Sequence, residues 1–460
     1  MRDAPGSPDE PALLTGARAW TRRQLLDEAE RLAHHLAQQP SDGRILVGDV
    51  IDVGARTVLT LAADLAGLPL LHSDTESPTR HDGIIVSDSA TRDGDGGQPW
   101  VGTGGFEFWT QVSGEPRNLA GVPGRSQIFL TSGSTGVPVG VVRPAERVLA
   151  DGRRSAAFLG YRPGQTVVVS TLTFHSYGFT YGLISPLVHG LRVRHLSSRS
   201  VPSQVARAVH GTSARFMIGL PYQFRLLAAT PTVAVTEGLA TLHAAVSSGS
   251  ALPVGVAAAV AHYPFTLYNA YGSSETGAIS LRATDDDERP GAVGAPLPGI
   301  EAKLDADAGL GRGGELLLKT TSLAAGYLGP NGLAPLRTVD DRPGDQPWYR
   351  TGDLAELDAD GIHLIGRVSS VINVAGKKVD PQEIHDVLVA HPRVREAHVA
   401  PADDEVRGQV PVARVVAAGP LTTAELLDWC QARLASHQMP RRISLVDNLP
   451  RSALGKVLRS

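Results

Sequence analysis

The amino-acid sequence predicts an α/β layer structure with largely parallel strands, and three observations carry that expectation. Between residues 146 and 268, stretches of helical periodicity alternate with short β-branched or apolar runs, the rhythm of strands joined by crossover helices. Past Glu301 the character changes to short strands and turns. Ahead of the rhythm lies Thr131-Ser132-Gly133-Ser134-Thr135-Gly136-Val137-Pro138-Val139-Gly140, with three glycines, two threonines and two serines in ten residues, directly after the apolar Ile128-Phe129-Leu130.

In chain order, residues 21–37 form the first expected helix. Thr21 and Gln24 have the spacing of a capping box, and Trp20 and Leu25 that of a hydrophobic staple. Leu25, Leu26, Ala29, Leu32, Ala33 and Leu36 line one face. A strand at Ile45-Leu46-Val47 and a helical patch over residues 58–65 follow. Residues 91–124, rich in Gly, Asp and Pro around isolated aromatics, read as a loop or shrunken connection. The pattern then predicts a helix over 146–159, strands at 166–170, 215–219, 244–247 and 265–268, and helices opening at Pro221 and Pro253. A strand at Glu315-Leu316-Leu317-Leu318 and a hairpin around Asp358-Ala359-Asp360-Gly361 come next. Helices open at Asp380-Pro381-Gln382-Glu383, with proline first, and at Thr422, with Glu425 as its box partner. The second puts Leu426, Leu427, Cys430 and Leu434 inside. No repeat period is visible.

Composition narrows the class. A length of 460 residues exceeds one ordinary domain, and 42% apolar with 20% charged residues is a soluble, globular balance. The formal net charge of −4, with both signs dispersed, argues against nucleic acid and anionic membrane as partners. A single cysteine, Cys430, allows no intrachain disulfide, and Met1-Arg2-Asp3-Ala4-Pro5-Gly6 lacks the apolar core of a signal peptide. Residues 163–191 carry no Asp, Glu, Lys or Arg, yet Ser, Thr, His, Tyr, Gly and Pro run through them. That mixture marks a buried strand–loop–helix rather than a membrane span. A cytoplasmic protein is expected.

Five motifs carry chemistry. The Thr131–Gly140 loop offers backbone N–H groups and hydroxyls in one concavity, as phosphate cradles do, although a surface turn has the same composition. It is not a Walker A loop, because no Gly-Lys-Ser/Thr follows Gly136. Tyr268-Asn269-Ala270-Tyr271-Gly272-Ser273-Ser274-Glu275-Thr276-Gly277 ends an aromatic strand in small residues and one carboxylate; Glu275 is a candidate Mg²⁺ ligand beside substrate phosphates, or a solvated glutamate in a turn. Asp353, in Tyr349-Arg350-Thr351-Gly352-Asp353, is a candidate acceptor for ribose hydroxyls. The fourth motif runs from Gly366-Arg367 to Gly376-Lys377-Lys378, and the fifth is Pro450-Arg451-Ser452-Ala453-Leu454-Gly455-Lys456. Gly309, Gly311 and Gly314 fit G-x-G-x-x-G, but a strand follows where a helix is needed.

Taken together and in this order, the five motifs resemble the adenylate-forming superfamily of acyl-CoA synthetases, peptide-synthetase adenylation domains and luciferases. The resemblance spans residues 12–460, with the region before 125 shortened. It implies a large N-terminal domain, residues 1–368, with layered sheets and a β-rich subdomain, and a small mobile α+β domain, residues 369–460. It also implies two half-reactions: a carboxylate attacks ATP to give acyl-adenylate and pyrophosphate, and a thiol or amine then displaces AMP. Carried over by position, Thr131, Ser132, Gly133, Ser134, Thr135 and Gly136 would hold the β- and γ-phosphates. Tyr271, with Gly272 beside it, would stack on adenine, and Gly249, Ser250 and Ala251 would line its other edge. Thr276 would touch the α-phosphate, Glu275 would ligate Mg²⁺, and Asp353 and Arg367 would hold the ribose. Lys456 would stabilise charge developing at the carboxylate and α-phosphate, a role worth about 10²–10³ in rate. Ser369 falls at the hinge; Gly376, with Lys378, falls on the side facing the pantetheine of the acceptor.

Members that activate α-amino acids resemble one another in an aspartate where this chain has His175, so an aryl or short acyl acid is expected. By analogy its pocket is lined by His175, Tyr177, Phe179, Gly219, Leu220, Ser248, Asn269 and Ala270. Coenzyme A and a separate acyl carrier protein present the same phosphopantetheine thiol, and both stay open. Two departures stand out. The lysine common after the first loop's proline is Val139, with Arg143 as its partial substitute, and the hinge Asp or Lys is Ser369. They keep a non-catalytic nucleotide-binding relative in play, and an amine in place of the thiol keeps open an amide-forming ligase. A phosphoryl-transfer enzyme is disfavoured by the absent Walker lysine.

Overall fold

The computed structural model describes residues 1–39, 44–73, 83–88, 98–102, 106–113, 118–132, 138–253, 255–284, 291–305, 313–340, 345–368, 371–375, 377–404 and 406–449. The chain divides into two compact units. The first comprises Met1–Glu288, Pro296–Ile300 and Lys319–Arg337, and the second Arg289–Ala295, Glu301–Leu318 and Thr338–Ser460.

The first unit is built on two large sheets. In the eight-stranded one, Thr266–Ser273, Ala244–Ser247, Phe216–Gly219, Thr166–Val169, Arg192–His195 and Pro11–Thr15 run parallel in that spatial order. Antiparallel Gly277–Ala283 and Arg18–Thr21 close its two edges. The α/β rhythm of the sequence is thus one parallel sheet. The nine-stranded sheet is mixed; its centre holds Leu46–Asp49, Leu70–His72 and Ser126–Ser132, all parallel, and Ser126–Ser132 turns back antiparallel into Pro138–Pro144. Helices Val53–Ala66 and Ala145–Leu159 touch strands of both sheets. The first helix, Arg22–Leu36, opens with the expected capping box between Thr21 and Gln24, an arrangement worth about 1 kcal/mol.

Within residues 91–124, two segments depart from the expected loop. Gln98–Val101 and Glu107–Ser113 pair antiparallel and extend the nine-stranded sheet at its edge. Phe106 and Phe108 are buried on either side of exposed Glu107, a period-2 pattern that fits a half-buried strand. Phe106 stacks on Trp20 at 4.2 Å, and Phe108 meets Trp100 at 5.6 Å, so the scattered aromatics are edge-strand anchors.

The second unit carries a six-stranded sheet, including the antiparallel hairpin of Trp348–Asp358 and Gly361–Arg367, and a five-stranded sheet with two helices. Those helices are Pro381–Val389, capped by Asp380, and Thr423–Gln431, whose capping box is Thr422 with Glu425. Leu426 and Cys430 are buried in the core of this sheet, with Leu427 and Leu434 packed against it. Burial pushes the Cys430 thiol up to about 11. Among the described residues, no helix is long and apolar enough to cross a membrane.

At the junction of the first unit's layers, His72 is 1% exposed between Phe129 and Phe179, at ring distances of 5.0 and 4.6 Å. Its Nε2 lies 2.8 Å from the Gln127 amide oxygen, and Arg56 donates toward Nδ1 at 3.4 Å. That pairing assigns the proton to Nε2 and leaves no room for a second. Burial, then the Arg56 charge, pushes the imidazole down to about 3. Below its unfolded value of about 6.5, the unfolded chain binds a proton that the folded chain refuses, so stability falls as pH falls. His72 is expected to remove about 2 kcal/mol of stability between pH 7.5 and pH 5. Urea midpoints of wild type and His72→Asn check this: the wild type should drop further with acid, and equal drops would exclude His72 as the cause.

Candidate active site

The parallel strands of the eight-stranded sheet deliver their following loops to one end, where ligands of open α/β sheets bind. Most residues expected at the site from the first unit lie there. Gly219 ends one strand, Ser248 and Gly249 follow the next, and Asn269, Ala270 and Tyr271 lie in the third. Tyr177, half-buried in the helix Ser176–Phe179, donates its hydroxyl to the carbonyls of Gly219 (3.1 Å) and Val246 (2.9 Å). Ser248 Oγ donates to the Ala270 carbonyl at 2.9 Å, tying two strand ends together. Beneath them Tyr177, Tyr181, Val246 and Ala270 border a narrow apolar cavity of about 10 Å³, too small for more than one water. His175 occupies the N-cap position of the Tyr177 helix without a side-chain capping bond, its ring 4.5 Å from Phe174.

Phe179 is not part of this group. It lies two residues, about 200°, around the helix from Tyr177 and is buried against His72 and Phe129. Leu220 is likewise buried, its N–H held by Gln223 Oε1 at 2.9 Å.

Glu275 and Thr276 sit at the tip of the hairpin between Thr266–Ser273 and Gly277–Ala283. Tyr327 donates to Glu275 Oε1 at 3.1 Å, which leaves further lone pairs on that half-buried carboxylate. Thr276 is fully buried; its Oγ1 donates to the Gly277 carbonyl at 2.9 Å and accepts from the Ser273 N–H at 3.2 Å. The turn is gripped from outside as well. Ala324 N–H bonds the Glu275 carbonyl at 2.6 Å, and Ser322 Oγ bonds the Thr276 carbonyl at 2.8 Å.

The Gly/Ser/Thr loop connects the antiparallel strands Ser126–Ser132 and Pro138–Pro144, with Thr131 paired to Val139 and its Oγ1 donating to the Val139 carbonyl at 3.3 Å. Gly133, Ser134, Thr135 and Gly136 lie outside the described residues, as do Ser369, Gly376 and Lys456. Lys378 belongs to the strand Lys377–Val379. In the second unit, Asp353 and Arg367 are cross-strand partners joined by an ion pair of 2.7 Å.

Arg143 does not substitute for the cation missing at Val139. It lies four residues further along the same strand, about 13 Å away. Its side chain is fully buried and pairs with equally buried Asp151 at 3.1 Å. Asp151 also accepts the Tyr181 hydroxyl at 2.7 Å and the Ala278 N–H at 3.2 Å. Burial, then the Asp151 charge, raises Tyr181 well above the usual phenol range, so it stays a donor at any working pH. Neither Asp151 nor Tyr181 was an expected site residue. Tyr181 falls within Thr180–Ile184, a π-helical stretch of the kind that recurs at functional sites.

A family model for AMP-binding enzymes matches residues 50–328, and one for the AMP-binding enzyme C-terminal domain matches residues 383–456. The chain is 29% identical over 338 residues to the 2-succinylbenzoate–CoA ligase of Bacillus licheniformis, covering 72% of this chain and 68% of that one. It is 30% identical over 342 residues to the benzoate–CoA ligase of Thauera aromatica, covering 72% and 64%. Among solved structures, it resembles o-succinylbenzoate CoA synthetase (MenE) from Bacillus subtilis in complex with the acyl-adenylate OSB-AMP. That match has a TM-score of 0.76 at 22% identity, over 98% of this chain and 95% of that one. ATP-bound MatB from Rhodopseudomonas palustris matches with a TM-score of 0.77 at 21% identity, over 99% and 95%. Both structural likenesses speak to the fold.

Gly277 lets the Asp151 carboxylate reach the hairpin. It has φ +74°, and a Cβ there would lie 2.0 Å from Asp151 Oδ2. Gly277→Ala is expected to lower stability by at least about 1–3 kcal/mol through backbone strain, with the clash added. Urea denaturation measures this; an unchanged midpoint would mean the close approach is not maintained in solution.

Proposed function

Because the chain belongs to the AMP-binding enzymes, we propose that it is an AMP-forming acid–thiol ligase acting on an aryl or short acyl carboxylic acid. In the first half-reaction a carboxylate oxygen bonds to the α-phosphorus of ATP and the bond to pyrophosphate breaks. In the second, a thiol sulfur bonds to the acyl carbon, the bond to AMP breaks, and the thiol proton is lost. Coenzyme A is the acceptor we favour, as the relatives named CoA ligases use it by name. A separate acyl carrier protein offers the same thiol.

The observation that carries this reading is the gathering of Tyr177, Gly219, Ser248, Asn269–Tyr271 and the Glu275–Thr276 turn at one end of the parallel sheet. Small residues and the rings of Tyr177 and Tyr181 make a compact apolar slot, and the half-buried Glu275 carboxylate beside it suits a Mg²⁺-bound nucleotide phosphate. No carboxylate stands at the His175 position to pair with an ammonium group, which favours a simple acid over an α-amino acid. Mg²⁺ fits the donor set: Glu275 would hold it together with substrate phosphates, and when bound it offsets their charge. Thr276 would meet the α-phosphate, Tyr271 the adenine, and Asp353 with Arg367 the ribose. Lys456 would stabilise the charge that develops during adenylation.

The proposed functional division is 1–368, the adenylation core, and 369–460, a mobile domain with Ser369 at the hinge and Gly376 and Lys378 toward the acceptor. It differs over residues 289–295, 301–318 and 338–368 from the two units defined by packing. A cytoplasmic location follows from the reaction, since ATP, Mg²⁺ and reduced coenzyme A are available there.

Carboxylate-dependent ATP–pyrophosphate exchange across aryl, short acyl, fatty and amino acids tests the reading. Exchange is expected with aryl or short acyl acids, and Tyr177→Ala should extend it to longer ones. ATP binding without exchange for any acid would favour a non-catalytic nucleotide-binding relative. Product formed with an amine and never with a thiol would favour an amide ligase. Lys456→Ala is expected to slow adenylation by about 10²–10³ while transfer from supplied acyl-adenylate persists. Equal losses in both steps would remove the role assigned to Lys456.

A further inference from the structure

The buried Arg143–Asp151 pair lies between two parts of the site that are far apart in sequence. Arg143 belongs to the strand Pro138–Pro144, which returns from the phosphate-type loop. From there its guanidinium donates to Asp151 (3.1 Å) and to the Ser322 carbonyl (3.4 Å). The Ala278 N–H, just past the hairpin tip, is shared between Tyr181 Oη (2.5 Å) and Asp151 (3.2 Å), and Tyr181 donates its hydroxyl to the same carboxylate. Ser322 holds the Thr276 carbonyl, and Arg154 donates to Ser322 Oγ at 3.2 Å. The turn bearing Glu275 and Thr276 is therefore clamped on both flanks by groups that meet at one guanidinium.

Two features argue that this arrangement serves placement. The pair is 0% exposed, and among the described residues Arg143 Nε and Nη1 have no hydrogen-bond partner. A buried ion pair with unmet donors is a poor way to gain stability, and an apolar pair of similar volume often does better. Further, the pair reaches the hairpin backbone from two sides, at the Ala278 N–H through Asp151 and at the Thr276 carbonyl through Ser322, the part of the hairpin that must hold Glu275 and Thr276 still.

We infer that Arg143 and Asp151 are positioning residues that tie the strand leaving the phosphate loop to the Glu275–Thr276 turn and so set the Mg²⁺–ATP geometry. The inference rests on the ligase reading above and adds to it a pair that touches neither acid nor nucleotide. A misplaced turn weakens the use of Mg²⁺–ATP and the adenylation step, and leaves the acid slot at Tyr177 and Ser248 unaltered.

Asp151→Asn, Tyr181→Phe and the double variant Arg143→Leu/Asp151→Leu test this, each followed by urea denaturation, pyrophosphate exchange, and equilibrium ATP binding as a function of Mg²⁺. Asp151→Asn is expected to lower the exchange rate about 10–100-fold and to raise the Mg²⁺ needed for half-maximal ATP binding, with the KM for the acid within about twofold. Tyr181→Phe, which keeps the ion pair, should show the same pattern more weakly. The double variant should recover stability relative to Asp151→Asn without recovering exchange or Mg²⁺ dependence. If activity returns with stability, or if Asp151→Asn exchanges and binds like wild type, the pair is structural only and the inference falls. A wild type that binds ATP without exchange overturns the ligase reading alone, because the Mg²⁺ dependence of binding still tests the pair. A wild type that binds no ATP overturns both.

Discussion

Six strands of the eight-stranded sheet run in one direction, and parallel strands are joined by crossovers that return the chain to the same starting edge. Every loop that follows a strand therefore lands at one end. Four such loops supply the Phe174–His175 segment, Gly219, Ser248–Gly249 and the Glu275–Thr276 turn. None of these residues is near another in sequence, and no local interaction brings them together. The crossover constraint does, and the rest of the site elaborates on it through the Tyr177 hydroxyl bridging two strand ends and Ser248 bonding a third.

Electrostatics refines this geometry from below. Removing one partner of a buried ion pair typically costs about 3–5 kcal/mol, because a desolvated charge is left uncompensated. The Arg143–Asp151 pair is of that kind, so the distances it imposes on the Ala278 and Ser322 segments are costly to relax. Surface pairs such as Arg23 with Asp9 and Arg393 with Glu425 are solvent-screened and place no comparable demand on the backbone.

Much of this was legible in the sequence wherever a local pattern and a long-range one agreed. Thr21 with Gln24 and Thr422 with Glu425 are boxes that depend on three-residue spacing alone, and both formed. The second motif was legible because it ends Thr266–Ser273, a parallel strand whose end the crossover rule brings beside Ser247 and Gly219. What stayed hidden depended on which way a side chain points. Val139 and Arg143 look close on paper, but an extended strand places them two pleats apart. Phe179 and Tyr177 were placed in one pocket by analogy, but two residues along a helix put them on opposite faces. Asp151 did leave a trace: Val148, Ser155 and Leu159 form a stripe at helical spacing, and Asp151 falls on it. A carboxylate on a buried stripe calls for a partner, and Arg143 is one. The strands at 98–113 were masked by their glycine-rich and aspartate-rich surroundings, although Phe106 and Phe108 already alternate with Glu107.

Cys430 has a practical consequence. It is the chain's one sulfhydryl, it has no solvent exposure, and burial keeps it protonated well above neutral pH. Maleimide reagents, which react with the thiolate, will pass it by in the folded protein. A cysteine introduced on each of the two units would then be the only pair to take up fluorophores or spin labels, with the native background left in place. The distance between the labels could then be read by energy transfer with and without ATP, which would show whether the two units move.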